Sequence, residues 1–154
     1  MSEMIQTDVS VANILVEVTV EAPRERVFEA LVDETAGWWH ADYYTRPGLG
    51  SFHIERKLGG MMYEDWGSGE GQIWAKVSGL KAPEYIQLAG DTDKDWGGPS
   101  RGIMTIRLEA DGEQTRVRFE NSNFGRISEE TRNSLEVGWK QLLGDCLKPY
   151  AESK

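Results

Sequence analysis

Cysteine, histidine and basic charge are all scarce in this chain, and each shortage closes off a class of function. Cys146 is the only cysteine among 154 residues, so no intramolecular disulfide can form. Its helical phase puts it on an apolar face with no histidine nearby in sequence, which reads as a structural thiol and not a nucleophile. The two histidines, His40 and His53, stand among polar neighbours, and a zinc site would need His40, Asp42 and His53 to converge without any ligand spacing to bring them together. Lys and Arg number 17 against 26 Asp and Glu, and a net charge of −9 argues against nucleic acid, which is held through a basic footprint. No apolar run is long enough to cross a bilayer, and the start carries no signal-peptide pattern. The expectation is a soluble, cytoplasmic protein with neither a membrane nor a nucleic-acid partner.

Motifs for cofactors are equally thin. "GSGEG" at 67–71 lacks the Lys-Ser/Thr of a phosphate loop. "DTDKDWGG" at 91–98 alternates Asp91, Asp93 and Asp95 like a calcium loop, but Trp96 and Gly102 stand where that loop needs Gly and Glu. No nucleophile elbow is present. No metal and no cofactor are expected.

What is present is patterned. One domain accommodates a chain of this length, with residues 1 to about 12 as a loose leader. "NILVEVTVEA" alternates Ile14, Val16, Val18 and Val20 against polar neighbours, which predicts a half-buried strand. Pro23 suits a helix start, and Val27, Phe28, Leu31 and Val32 follow at helical spacing. A second short helical piece is expected to carry Trp38 and Trp39.

From about 50 to 124, short β-prone runs separated by Gly, Pro and Asp-Gly predict an antiparallel meander. With Asp111 and Gly112 as a two-residue loop, Ile106 faces Val117, Met104 faces Phe119, and Asn121 points inward by parity. If Gly59 and Gly60 form another such loop, Ile54, Arg56 and Tyr63 share the inner face; a bulge there turns Glu64 and Trp66 inward instead. Ile73, Ala75 and Val77 are the expected inward set of the next strand.

"NSLEVGWKQLLGDCLKPY" predicts a long C-terminal helix starting near Ser128, with Leu135, Trp139, Leu142, Leu143, Cys146 and Tyr150 on one stripe. Gly138 and Gly144 lie inside it, each costing about 1 kcal/mol against Ala. Gly138 borders the stripe, where it can admit the sheet or a ligand. Gly144 falls on the wet side, where a bend or simple tolerance explains it.

The stretches "VEVTVEAPRERVFEALVD" at 16–33, "FHIERKLGGMMYE" at 52–64 and "GWKQLLGDCL" at 138–147 resemble the START-like, polyketide-cyclase-like superfamily, and within it the branch similar to the activator of heat-shock protein 90 ATPase. The resemblance implies an α+β helix-grip fold, a curved antiparallel sheet wrapped around the long C-terminal helix, with a cavity between them. It also implies a hydrophobic, amphipathic or aromatic small molecule as partner. The lining is expected from Trp39, Tyr63, Trp66 and Phe119, with Asn121, Leu135, Trp139 and Leu142, and Arg56 anchoring an acidic end. An alternative is a cyclase/aromatase-like enzyme in which Arg56, Tyr63 or Glu64 handles protons. A co-chaperone contacting heat-shock protein 90 follows from the branch resemblance alone, and a homodimer is compatible with all three readings.

Overall fold

A computed structural model describes residues 8–46, 48 and 50–153. The first strand, β1, runs Ser10–Val20 and starts earlier than the expected leader allows, because Ser10–Ala12 pair with the end of the last strand; residues 1–7 lie outside the described residues. Pro23 then leads into α1 (Arg24–Phe28), which continues through a wider turn at Glu29–Asp33 and is followed by α2 (Thr35–Trp38). As its spacing predicts, Val27, Phe28, Leu31 and Val32 are buried. Trp38 is held by an indole N–H donated to the Ala30 carbonyl at 2.7 Å.

The meander comprises β2 (Ser51–Ile54), β3 (Met61–Gly67), β4 (Glu70–Lys81), β5 (Tyr85–Thr92), β6 (Ser100–Asp111) and β7 (Gln114–Gly125). With β1 they form one antiparallel sheet in the order β1-β7-β6-β5-β4-β3-β2. Its inner face carries Val16, Phe52, Met62, Ile86, Leu88, Ile106, Val117 and Phe119 into the core. Each such side chain contributes about 1.5–3 kcal/mol by leaving water.

One register differs from the sequence expectation, and at a second the structure takes the alternative that turns Glu64 and Trp66 inward. The β6–β7 loop is Gly112–Glu113, so Ile106 pairs with Phe119 and Met104 with Asn121. Gly112, at φ +63°, supplies the left-handed residue that the turn requires. The slip is an even number of residues, so every side chain keeps its predicted face.

Between β2 and β3 the chain does not turn tightly. Glu55 donates its backbone N–H to Met61, while Gly59 donates to Val77 and Gly60 accepts from it, so the glycines lean on β4 instead of closing a two-residue loop. Phe52 therefore stands opposite Glu64 and Ile54 opposite Met62, which turns Met62 and Glu64 inward and Tyr63 outward.

The C-terminal helix starts as predicted, with Ser128 Oγ accepting the Thr131 N–H at 3.0 Å. It runs as α3 (Glu129–Lys140), widens to π-helical turns over Gln141–Leu147, and ends as α4 (Lys148–Glu152). Leu147, left off the expected stripe although it follows Leu143 by four residues, lies on this widened segment and is fully buried. Cys146 is half-buried, and burial pushes its thiol pKa up, in keeping with a structural role.

The two helix glycines separate clearly. A methyl on Gly138 would meet the Tyr43 ring at 3.3 Å, and that ring is pinned by its hydroxyl donating to Gln141 Oε1 at 2.6 Å. Gly138 thus admits neither the sheet nor a ligand but the ring of the Ala41–Tyr43 turn. A methyl on Gly144 meets nothing within 4 Å. Gly144→Ala is expected to raise stability by about 0.5–1 kcal/mol in urea unfolding, and Gly138→Ala to lower it.

Glu34 ties the helices to one another, bonded by Arg26 at 3.1 Å and by the Tyr150 hydroxyl at 2.9 Å. The Arg26 guanidinium, then the Tyr150 hydroxyl, hold its pKa down to about 2 from an ordinary 4.5. A depressed carboxylate contributes stability that is fully present above pH 4.5 and lost as pH falls through about 2. Glu34→Gln is expected to flatten the acid limb of the Tm-against-pH curve within that window.

Candidate functional site

The cavity lies between α3 and the inner face of β5, β6 and β7. Across β5, β6 and β7, Leu88, Met104 and Asn121 form one inward row. In the next row the partners are Gly90, Gly102 and Asn123, and beyond it Thr92 stands opposite Ser100. Gly90 and Gly102 stand where the neighbouring row carries Leu and Met; a Cβ on Gly90 would run into the Trp74 carbonyl and one on Gly102 into the Asn123 carboxamide, and α3 covers this row with Thr131, Leu135 and Trp139. The result is a cavity of about 120 Å³, lined further by Trp74, Trp96 and Ile127 and open to solvent on one side.

Small-molecule sites commonly span about 300–1,000 Å³, whereas an apolar cavity near 150 Å³ holds a single benzene ring. A space of this size therefore fits one ring and little more. Its wall is mostly apolar and aromatic, with the Asn121 and Asn123 carboxamides and the hydroxyls of Thr92, Ser100 and Thr131 as polar groups. Among the described residues that line it, none is an acid, a base or a cysteine.

Behind this wall lies an aromatic cluster. Trp39 stacks on Phe52 at 3.8 Å and meets Trp74 and Trp139 edge-on at 5.5 and 5.9 Å; Trp139 in turn stacks on Phe119 at 4.4 Å. Glu64, fully buried, anchors the cluster. Its Oε2 accepts the Trp74 indole N–H at 2.7 Å, its Oε1 the Trp66 indole N–H at 3.2 Å, and both oxygens receive the Thr45 backbone N–H at 3.0 Å. Such a buried carboxyl group is tolerable only because its oxygens are bonded. Burial, and next the Glu64 charge, push the pKa of the neighbouring Tyr44 hydroxyl up.

Of the residues expected to line a pocket, Asn121, Leu135 and Trp139 do so. Trp39 and Phe119 back the wall, and Leu142 is core beneath the helix. Trp66 faces inward but is spent on Glu64, with the Arg46 guanidinium 5.2 Å from its ring.

Two expectations are corrected. Arg56 sits in the 55–60 connection, past the end of β2, where its guanidinium binds both carboxylate oxygens of Asp33 and lies 4.8 Å from the Phe28 ring. Tyr63 is on the outer face beside His53, 5.5 Å away ring to ring, because the open connection sets the odd positions of β3 outward. Among the described residues, none that lines the cavity is therefore a cation placed to anchor an acidic group.

Several lining residues escaped the sequence. Trp74 turns inward through a bulge, since β3 pairs Met62 with Ala75 but Tyr63 with Ile73; Ile73, expected inward, is left 47% exposed. Alternation carries no signal for that. Asn123 and Gly102, by contrast, follow from the parity that already places Asn121 and Met104. Trp96, 56% exposed, belongs to the Lys94–Trp96 turn inside the acidic stretch. There Asp91 pairs with Arg101 and Asp93 caps the turn. Among the described residues no group of three or more His, Cys, Asp or Glu side chains could hold a metal, and no helix is long and apolar enough to cross a membrane.

Known structures share this architecture. A protein from Rhizobium leguminosarum is 18% identical with a TM-score of 0.72, over 96% of this chain and 98% of that one. The Aha1 dimer from Colwellia psychrerythraea is 23% identical with a TM-score of 0.62, over 92% and 96%. DynU16, a protein in the dynemicin biosynthetic locus, is 22% identical with a TM-score of 0.68, over 91% of this chain and 47% of that one. Identities this low establish the helix-grip fold alone. Comparison with curated protein sequences finds no match. The family model described as "Activator of Hsp90 ATPase homolog 1-like protein" matches residues 21–152, and the chain therefore belongs to that family, within the START-like superfamily.

Proposed function

We propose that this protein binds a small hydrophobic or aromatic molecule in the cavity between α3 and the sheet. The observation that carries this is the composition of the wall: aromatic and aliphatic surface with a few convergent carboxamides and hydroxyls, around a space of about 120 Å³. Proton-transfer catalysis draws no support from it, because no lining residue titrates near neutrality. The ligand is of one-ring size, the domain acts as a carrier or receptor, and its place is the cytoplasm.

Native followed by denaturing mass spectrometry of freshly purified protein tests this, paired with a thermal-shift screen of one-ring and two-ring aromatics. A ligand that binds only the native state raises Tm, by about 2.7 kcal/mol of stability at a hundredfold excess over Kd. One-ring compounds should raise Tm more than two-ring ones. No copurifying molecule and no shift with any compound would refute the proposal.

A second reading, a protein contact of the co-chaperone kind, is favoured by exposed apolar residues on the outer face, with Val11 and its cross-strand neighbour Phe124 at 71% and 56% exposure. Homodimerisation is proposed from the Colwellia protein, described as a dimer. Light scattering decides it: a monomer mass at 100 µM, on the order of the Kd of a weak dimer, removes it.

A further inference from the structure

The polar end of the cavity has a direction. The Ile103 carbonyl can only accept, so the Asn121 carboxamide must present Nδ2 to it, at 3.3 Å. That leaves Asn121 Oδ1 to accept from Asn123 Nδ2, at 2.7 Å. The chain of bonds therefore ends on Asn123 Oδ1, which receives no donor among the described residues although Asn123 is only 8% exposed. This oxygen occupies the space over Gly102, where a Cβ would stand 2.1 Å from it, and Gly102 and Asn123 both line the cavity. The atom itself is accessible, since the buried and unpartnered side-chain atoms among the described residues are those of Arg24, Arg26 and Thr45, so it can accept from a group that enters the cavity.

The charge of the wall sets the second condition. No lining side chain is cationic, Arg56 is held elsewhere by Asp33, and the chain as a whole carries a charge of −9. An anion entering here would be stripped of water, meet the Asn123 oxygen as another acceptor and find no counter-charge.

We propose that the cavity selects an uncharged one-ring molecule bearing a hydroxyl or amide N–H that donates to Asn123 Oδ1, and discriminates against carboxylates. This rests on the small-molecule reading above and specifies its ligand class. Each carboxamide keeps one further N–H, so a group that both donates and accepts, as a phenolic hydroxyl does, is matched best.

Three probes of nearly equal size separate the possibilities: toluene, phenol and benzoate, titrated at pH 7 into the whole chain and followed by the side-chain amide resonances of Asn121 and Asn123. Phenol is expected to bind about tenfold more tightly than toluene, the factor that one hydrogen bond of about 1.4 kcal/mol provides, with benzoate the weakest. Asn123→Leu should abolish the preference for phenol while toluene still binds. Gly102→Ala, which pushes the carboxamide aside without removing it, should do the same, and the wild-type ranking decides the matter even if either variant fails to fold. Equal binding of phenol and toluene, or benzoate binding as tightly as phenol, overturns this inference and leaves the small-molecule reading standing. Binding of none of the three overturns that reading, and this inference with it.

Discussion

Replacing Glu64 with alanine is expected to destabilise the protein by about 3–5 kcal/mol, among the largest effects of any single substitution here. The residue is fully buried and receives the indole N–H groups of Trp66 and Trp74 and the backbone N–H of Thr45. Truncation strands three donors, each costing about 1–3 kcal/mol when buried and unmet, and the total stays below their sum because water enters the vacated space. Glu64→Gln keeps the volume but turns an amide N–H toward donors, so about 2 kcal/mol is expected. Urea unfolding with an unchanged m-value checks both, and the near-UV circular dichroism of the folded variants should change as Trp74 loses its anchor. A loss below 1 kcal/mol for Glu64→Ala would mean that the aromatic cluster holds its own geometry and that the carboxyl group positions nothing.

Trp139→Ala is expected to cost about 3–5 kcal/mol as well, for a different reason. The indole is 7% exposed, stacks on Phe119 and meets Trp39 edge-on, so its removal forfeits packing instead of hydrogen bonds. Because Trp139 is also part of the cavity wall, the variant gains room where the wild type has about 120 Å³. A folded Trp139→Ala protein should therefore bind two-ring aromatics more tightly than the wild type does, relative to one-ring ones. Unchanged size selection, measured by thermal shift with benzene and naphthalene analogues, would place the ligand elsewhere.

The fold was legible because its signals are periodic and redundant. Alternation placed β1, the β6–β7 pair and their inner faces, and it survived a loop displaced by one residue, since the pairing register then shifts by two and an even slip preserves parity. Helical spacing and the Ser128 cap located the C-terminal helix. Where the sequence misled, a local irregularity broke the period. The open 55–60 connection carried Arg56 to Asp33 and turned Tyr63 outward. The bulge opposite Met62 and Tyr63 brought in Trp74 in place of Ile73. None of these has a composition signature, because each is decided by what the neighbouring strand or helix offers. The cavity itself shows the same limit: Gly90 and Gly102 are ordinary strand glycines in the sequence, and only their cross-strand pairing shows that one admits the bulged β4 backbone and the other the Asn123 carboxamide.

The most direct test of ligand binding beneath α3 is an isotope-filtered NOE experiment on labelled wild-type protein with unlabelled toluene. The expected result is NOEs from the toluene ring to the Met104 and Leu135 methyl groups and the Trp139 indole protons, all on the cavity wall. NOEs confined to Val11, Phe124 and their exposed neighbours on the outer sheet face would contradict it and would make that surface, not the cavity, the functional one.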